Sequence, residues 1–270
     1  MNECVSLDQQ IDLNLYFYDY DENYENYEML YNAIVETETS RHIKDISMIN
    51  DCHDKEEHRR CFTYCTKIVQ GIIGNGKHLT YHSYVFDFEL EQANHLAEAI
   101  VQSSNNNNND AIESFDFRAD NLAPVTFQLL WNTLLDSGVR KIRFQNNDTA
   151  DPPIHNNNSS INFTRMETNE SLKELNLAGY NMQKEDCRNL FHAIKKNKGL
   201  EILTLNYCNY EKLSKEVKRL FEEMMCENIT LLHCSLCMKG EDVQDEFFEL
   251  IQLYMKLNRM WKRYLMHCER

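Results

Sequence analysis

The chain has 270 residues, 42% of them hydrophobic, which is enough to bury a large core, and it carries a net charge of −15. That acidity argues against phosphate backbones and so against nucleic acid as a ligand. No apolar run is long enough for a membrane-spanning helix, and the ten Cys lack the spacing of a disulfide framework, which suits reduced core thiols of an intracellular protein.

Met1–Gln10 has neither a basic start nor a long apolar stretch, so no export signal is expected. Met1–Arg60 holds 15 Asp and Glu against five Lys and Arg, with Tyr16, Tyr18, Tyr20, Tyr24, Tyr27 and Tyr31 among the acids. Such an acidic, aromatic surface suits a basic protein partner. Alternation marks a first strand at Leu15 and Phe17 and a second at Ile43, Ile46 and Met48. In CHDKEEHRRC, Cys52, His53, His58 and Cys61 are four formal zinc ligands. The adjacent pair Cys52–His53 strains a tetrahedral shell, so solvated His and a core Cys are expected, and no metal.

Phe62–Val69 reads as a helix and leads into GIIGNGKH, Gly71–His78. This spells G-x-x-x-x-G-K, but His78 stands where a phosphate-binding loop needs Ser or Thr. It also joins a helix to a strand, the reverse of the order that places phosphate at a helix N-terminus. No cofactor is expected. Leu79, His82 and Tyr84, or in another phase Tyr81, Tyr84 and Phe86, make the third candidate strand. Ile112, Phe115 and Phe117 follow, then Val139, Ile142 and Phe144, 27 residues later. The polar tracts Asn105–Asp110 and His155–Ser160 bury too little to be ordered and are expected as mobile loops. Pro152 and Pro153 forbid a regular helix within Thr149–Glu170.

LKELNLAGYN, Leu172–Asn181, then returns as LEILTLNYCN, Leu200–Asn209. Leu172, Leu175 and Leu177 match Leu200, Leu203 and Leu205 at a distance of 28 residues. Between them Met182, Cys187, Leu190, Phe191 and Ile194 have helical spacing, with Gly199 where the helix should have stopped. Ile229, Leu232 and Cys234 are the next three positions, followed by a helix with Phe247, Phe248, Leu250, Ile251 and Tyr254. Lys256–Arg270 is basic, and Trp261, Tyr264 and Leu265 predict a cap closing the end of the core, a separate binding helix being the alternative. The sequons at Asn147, Asn158, Asn162, Asn169 and Asn228 are expected by chance in so Asn-rich a chain.

The recurring LxxLxLxxN strand followed by a helix resembles the leucine-rich repeat of the ribonuclease-inhibitor type, most clearly over Ile112–Asn258 and in looser phase over Leu15–Asn109. The resemblance implies an α/β solenoid, a horseshoe with a curved parallel sheet on its concave face and helices on its convex face. One strand and one helix cannot bury their apolar faces alone, whereas stacked copies share a continuous core. About eight repeats in a single domain over 1–270 are expected, with an irregular repeat at 139–171 and a cap at 256–270. Taking the residue between the second and third core positions gives a concave ladder of Tyr16, Ser47, Ser83, Asp116, Arg143, Asn176, Thr204 and His233. The residue after the third adds Tyr18, Arg118, Gln145, Ala178, Asn206 and Ser235. This polar mixture with aromatic and Arg members suits protein recognition and lacks a converging catalytic cluster.

By resemblance, the expected role is that of a non-enzymatic scaffold, monomeric and cytoplasmic, binding a protein partner through this ladder, or an effector acting in a host-cell cytosol. A GTPase-activating protein on the same fold, assisting hydrolysis with an Arg or Asn supplied in trans, is the alternative.

Overall fold

Short alternating segments separated by three-to-four-spaced ones produce the same unit repeatedly: a strand, then a helix that returns the chain to the start of the next strand. The computed structural model describes residues 11–18, 28–29, 31–33, 43–51, 55–72, 78–83, 89–106, 112–118, 122–145, 160–178, 182, 184–205, 215–235 and 245–268. Strands β1 to β8 are Ile11–Tyr18, Ile43–Asp51, His78–Ser83, Ser114–Arg118, Lys141–Gln145, Glu174–Asn176, Ile202–Thr204 and His233–Ser235. Helices α1 to α6 are Lys55–Ile72, Leu90–Asn106, Pro124–Asp136, Lys184–Lys196, Lys215–Glu227 and Asp245–Cys268, and a 3-10 helix, Thr164–Thr168, lies between β5 and β6. The strands form one sheet in sequence order, every neighbouring pair parallel. This is the architecture of a leucine-rich-repeat solenoid.

The inward side chains of the strands and the apolar faces of the helices join in one core running from Leu15 to Met255. Its composition changes along the array. Tyr81, Phe115, Phe117, Phe127, Trp131, Phe144 and Phe163 fill the middle, with Phe127 and Phe144 centroids 4.7 Å apart, whereas Leu172, Leu175, Leu177, Leu200, Leu203 and Leu205 fill the later units.

Three strand registers differ from those expected. In β1, Leu13 and Leu15 lie opposite Ile46 and Met48, so the core pair is two residues earlier than Leu15 and Phe17. In β3, Leu79 and Tyr81 lie opposite Phe115 and Phe117, and Ser83 ends the strand opposite Asn50. In β8, Cys234 pairs with Leu203, so Leu231 and Cys234 are the first and second core positions, while Ile229 is exposed. A two-residue slip keeps every alternating side chain on its face, so the pattern within β1 or β8 cannot reveal it, whereas the shift in β3, from Ser83 to Thr80, is three residues and exchanges the two faces.

Two backbone devices tie successive units. A single carbonyl before each of β4 to β7 accepts two N–H groups of the next unit: Glu113 O from Arg140 and Lys141, Arg140 O from Lys173 and Glu174, Lys173 O from Glu201 and Ile202, Glu201 O from Leu232 and His233. At the end of the array Arg259 Nε donates to Leu232 O at 2.9 Å, in place of a further strand. The second device is a ladder of Asn169, Asn197, Asn228 and Asn258. Asn228 Nδ2 donates to Ile194 O and Asn197 O, and its Oδ1 accepts from the N–H groups of Thr230 and Leu231. Asn258 continues the ladder by donating to Asn228 O and Leu231 O. Two of the sequon asparagines are therefore structural, and the buried, bonded amide of Asn228 is closed to modification in the folded chain.

Gly199 has a different role from the one its place after a helix suggests. A Cβ on it would stand 2.8 Å from Glu170 O and 2.9 Å from Glu170 Cα, so it allows two units to approach backbone to backbone. The glycine that turns a helix end is Gly138, at φ 74°, after α3.

Between β5 and β6 the 3-10 helix stands where other units carry an α-helix. Side-chain amides hold the chain there: Gln128 exchanges two hydrogen bonds with the Asn162 backbone, and the Asp186 carboxylate accepts from Ile161 N at 2.7 Å. Asn105 and Asn106 end α2, but the rest of that tract, 107–110, and residues 155–159 lie outside the described residues. So do Cys52 and His53, while Cys61 is buried in the core. At the C-terminus the residues that close the core are Ile251, Met255 and Asn258; Trp261 and Tyr264 are 47% and 59% exposed, because the helix turns that stripe away from β8.

Burial pushes the Cys234 thiol up to about 12, so it carries almost no thiolate at neutral pH. Cys61 and Cys187 are also buried, whereas Cys226 is exposed, 2.8 Å from the Tyr254 hydroxyl. Iodoacetamide at pH 8 is expected to label Cys226 at least tenfold faster than the other three, with the difference lost in denaturant. Peptide mapping by mass spectrometry measures this, and equal labelling of Cys234 in the native chain would contradict the packing of β8.

Candidate protein-binding face

Side chains alternate along a strand, so those pointing away from the helices align across the parallel register into rows. The central row is Asn14, Ser47, Thr80, Asp116, Arg143, Asn176, Thr204 and Ser235. On the N-terminal side lies the row Asp12, Asp45, His78, Ser114, Lys141, Glu174, Ile202 and His233. On the C-terminal side Tyr16 and Ile49, and then Arg118 and Gln145, belong to a third.

The structure thus brings Ser47, Asp116, Arg143, Asn176 and Thr204 of the expected ladder into one line. Tyr16, 53% exposed, belongs to the neighbouring row with Arg118. His233 falls in the opposite outer row beside Ile202, and Ser235 takes its place, as a consequence of the corrected register. Asn14 and Thr80 were missed for the same reason. Tyr18 ends β1 opposite Asp51, and Asn206 lies outside the described residues. Asn176 is buried, its Oδ1 accepting from Ala178 N at 2.9 Å, so it shapes the turn after β6 instead of offering a free amide.

A groove of about 390 Å³ runs over β1 to β6 along the central and N-terminal rows. Asn14, Ser47, Thr80 and Ser114 supply small polar contacts, with charges of both signs around them. Those charges meet across neighbouring strands. Arg143 Nη1 donates to Asp116 Oδ2 at 3.2 Å, Arg118 Nε lies 3.6 Å from Asp116 Oδ1, Asp45 is 3.8 Å from His78, and Lys141 is 4.0 Å from Glu174. Only the first of these is a hydrogen bond. Asp45 Oδ1, Asp116 Oδ1 and Arg118 Nε are covered and have no hydrogen-bond partner among the described residues. They lie at the distance where an incoming donor or acceptor, or a bridging water, would complete them.

A larger hollow, about 670 Å³, opens on the helix side, where the 3-10 helix leaves space against α4 and α5. Its charged rim is committed within the chain. Arg188 bridges Glu185 and Glu216, Lys195 meets Glu227, and Lys196 meets Glu167. Hydrogen bonds from Lys184 and Arg188 hold the Glu216 carboxyl below its usual range. The hollow lies beside the 3-10 helix and its edges are laced together, which leaves the sheet face as the stronger binding candidate.

No protein-family model matches the chain, and no curated protein matches it in sequence. Solved structures similar to it include the actin-binding site 2 of leiomodin-1, at a TM-score of 0.47 and 13% identity over 64% of this chain and 92% of that one. The C-terminal domain of tropomodulin from Caenorhabditis elegans is similar at a TM-score of 0.43 and 14% identity, over 77% of this chain and 99% of that one.

Proposed function

We propose that the chain is a non-enzymatic scaffold that binds a protein partner across the helix-free face of its sheet. The observation that carries this reading is the alignment of three polar rows on one face. Seven spacings of about 4.8 Å between eight strands make the face about 34 Å across, which is the scale of a protein and far larger than a metabolite. Polar atoms around Asp116 are covered but incompletely bonded, and such groups reward a complementary donor or acceptor more than solvated ones do. Asp12 and Asp45 lie at the β1–β2 end and Arg118 and Arg143 over β4 and β5, so a partner docked along the array would carry basic groups at the first position and acidic ones at the second.

Thr80→Arg tests this directly. Thr80 sits in the groove between Ser47 and Asp116, and a long side chain there obstructs the face without touching the core. Quantitative capture of binding proteins from a eukaryotic lysate, comparing wild type with Thr80→Arg and with Arg143→Glu, is expected to show a saturable partner reduced about tenfold or more by each. Thermal unfolding of Thr80→Arg should stay close to wild type. Full retention of every saturable partner by both variants would remove the binding site from this face.

A further inference from the structure

The last helix carries two apolar faces. Ile251 and Met255 face the array and are buried, but Leu253, Leu257, Met260, Trp261 and Tyr264 are exposed. These five make up nearly half of the eleven large hydrophobic residues exposed among the described residues, although α6 is one helix of many. Their helical spacing draws them into a single stripe about 16 Å long, and the rings of Trp261 and Tyr264 stack with centroids 5.7 Å apart. An ordered stripe of this kind differs from the scattered single hydrophobes of an ordinary surface. Lys256 is exposed beside it, while Arg259 and Lys262, further round the helix, are tied to Leu232 O and Glu201. From Leu250 to Cys268 the chain has Lys256, Arg259, Lys262 and Arg263 and no Asp or Glu, although the net charge of the whole is −15.

We propose that this outer face of α6 is a second docking surface, separate from the sheet, and that its occupant is an acidic amphipathic helix of a partner protein. The apolar stripe of such a helix would lie along Leu253–Tyr264 and its carboxylates beside Lys256, in the manner of a helix read by anchors one turn apart. Charge selects this occupant over two others. A second copy offering the same stripe would set one basic helix against another, and an anionic bilayer would repel the acidic remainder of the chain.

The chain carries its own reporter, since Trp131 is fully buried and Trp261 is exposed, so a change in emission on binding here reads Trp261. The probe is a synthetic helical peptide lacking Trp and Tyr, with Leu one turn apart on one face and Glu flanking them. Its Lys-for-Glu counterpart, vesicles of anionic phospholipid and a dilution series of the chain alone are the comparisons. The Glu peptide is expected to shift the emission to the blue, with no response to the Lys peptide and no response in Trp261→Phe. Lys256→Glu should weaken binding about tenfold, and Leu257→Asp with Tyr264→Asp should abolish it, while circular dichroism stays native. The proposal is overturned by silence towards the Glu peptide, by equal responses to both peptides, or by a shift produced only by vesicles or only by raising the concentration of the chain.

Discussion

Asn197→Ala is expected to destabilise the chain by about 4 kcal/mol. Its amide donates to Met166 O at 2.6 Å and Asn169 O at 2.7 Å, and its Oδ1 accepts from Gly199 N at 2.9 Å and Leu200 N at 2.6 Å. Alanine would leave the Gly199 and Leu200 N–H groups and Asn169 O without this amide, and Met166 O with only the Asn169 N–H, at a position only 2% exposed. Each orphan costs about 1–3 kcal/mol, less where water can enter, so the sum is smaller than four full penalties. Asn197→Asp separates shape from hydrogen bonding. It keeps the acceptor for Gly199 and Leu200 but turns an oxygen towards two carbonyls, so at neutral pH it should cost at least as much as alanine. Because the folded state disfavours that charge, the introduced carboxyl has a higher pKa folded than unfolded. Its deficit is then largest above the folded pKa and shrinks as pH falls through it, where an O–H donor is regained. Urea unfolding at two pH values measures both effects, and a loss below about 1 kcal/mol for alanine would show that water replaces the amide without penalty.

Phe144→Ala is the second large effect expected, about 4 kcal/mol. Phe144 is buried in β5, with ring centroids 4.7 Å from Phe127, 5.9 Å from Phe117 and 6.0 Å from Phe115. Its neighbours are themselves locked: Phe127 against Trp131 at 6.0 Å, and Phe117 against Tyr81 at 5.5 Å. Rigid aromatic walls cannot collapse into the vacated volume, and the cavity term therefore adds to the lost transfer energy. Phe144→Leu refills most of that volume and should cost roughly 1–2 kcal/mol. Equal losses for the two variants would mean that the site relaxes freely.

Both effects reside in features of very different visibility. The aromatic core was legible, since Phe115, Phe117, Ile142 and Phe144 stand at the positions where repeats place buried residues. The asparagine ladder was in the sequence too, as Asn169-x-x-Leu172, Asn197-x-x-Leu200 and Asn228-x-x-Leu231, and it would have put β8 in register through Leu231. It was obscured because two of those asparagines spell sequons and because one copy of Asn-x-x-Leu means little until the carbonyls of the preceding unit are in place. Asn258-x-x-Trp261 extends the same spacing into α6, where the chain stays helical and Arg259 covers the last free carbonyl.

Alternation and helical spacing determined, by themselves, that this chain makes strands and helices in turn and that the units must stack, because no unit can bury its own apolar face. They also determined which side of each strand but β3 faces the core, since that depends only on parity; in β3 the expected core pair His82 and Tyr84 had the wrong parity, and Leu79 and Tyr81 face the core instead. Which residue stands beside which across the sheet was decided by tertiary structure alone: a slip of two residues preserves parity, and only pairing with the neighbouring strand distinguishes Asn14 from Tyr16 or Ser235 from His233. The exposure of Trp261 and Tyr264 was likewise a tertiary outcome, because the same amphipathic helix closes the core with whichever face packs better, and here Ile251, Met255 and Asn258 fit the last unit.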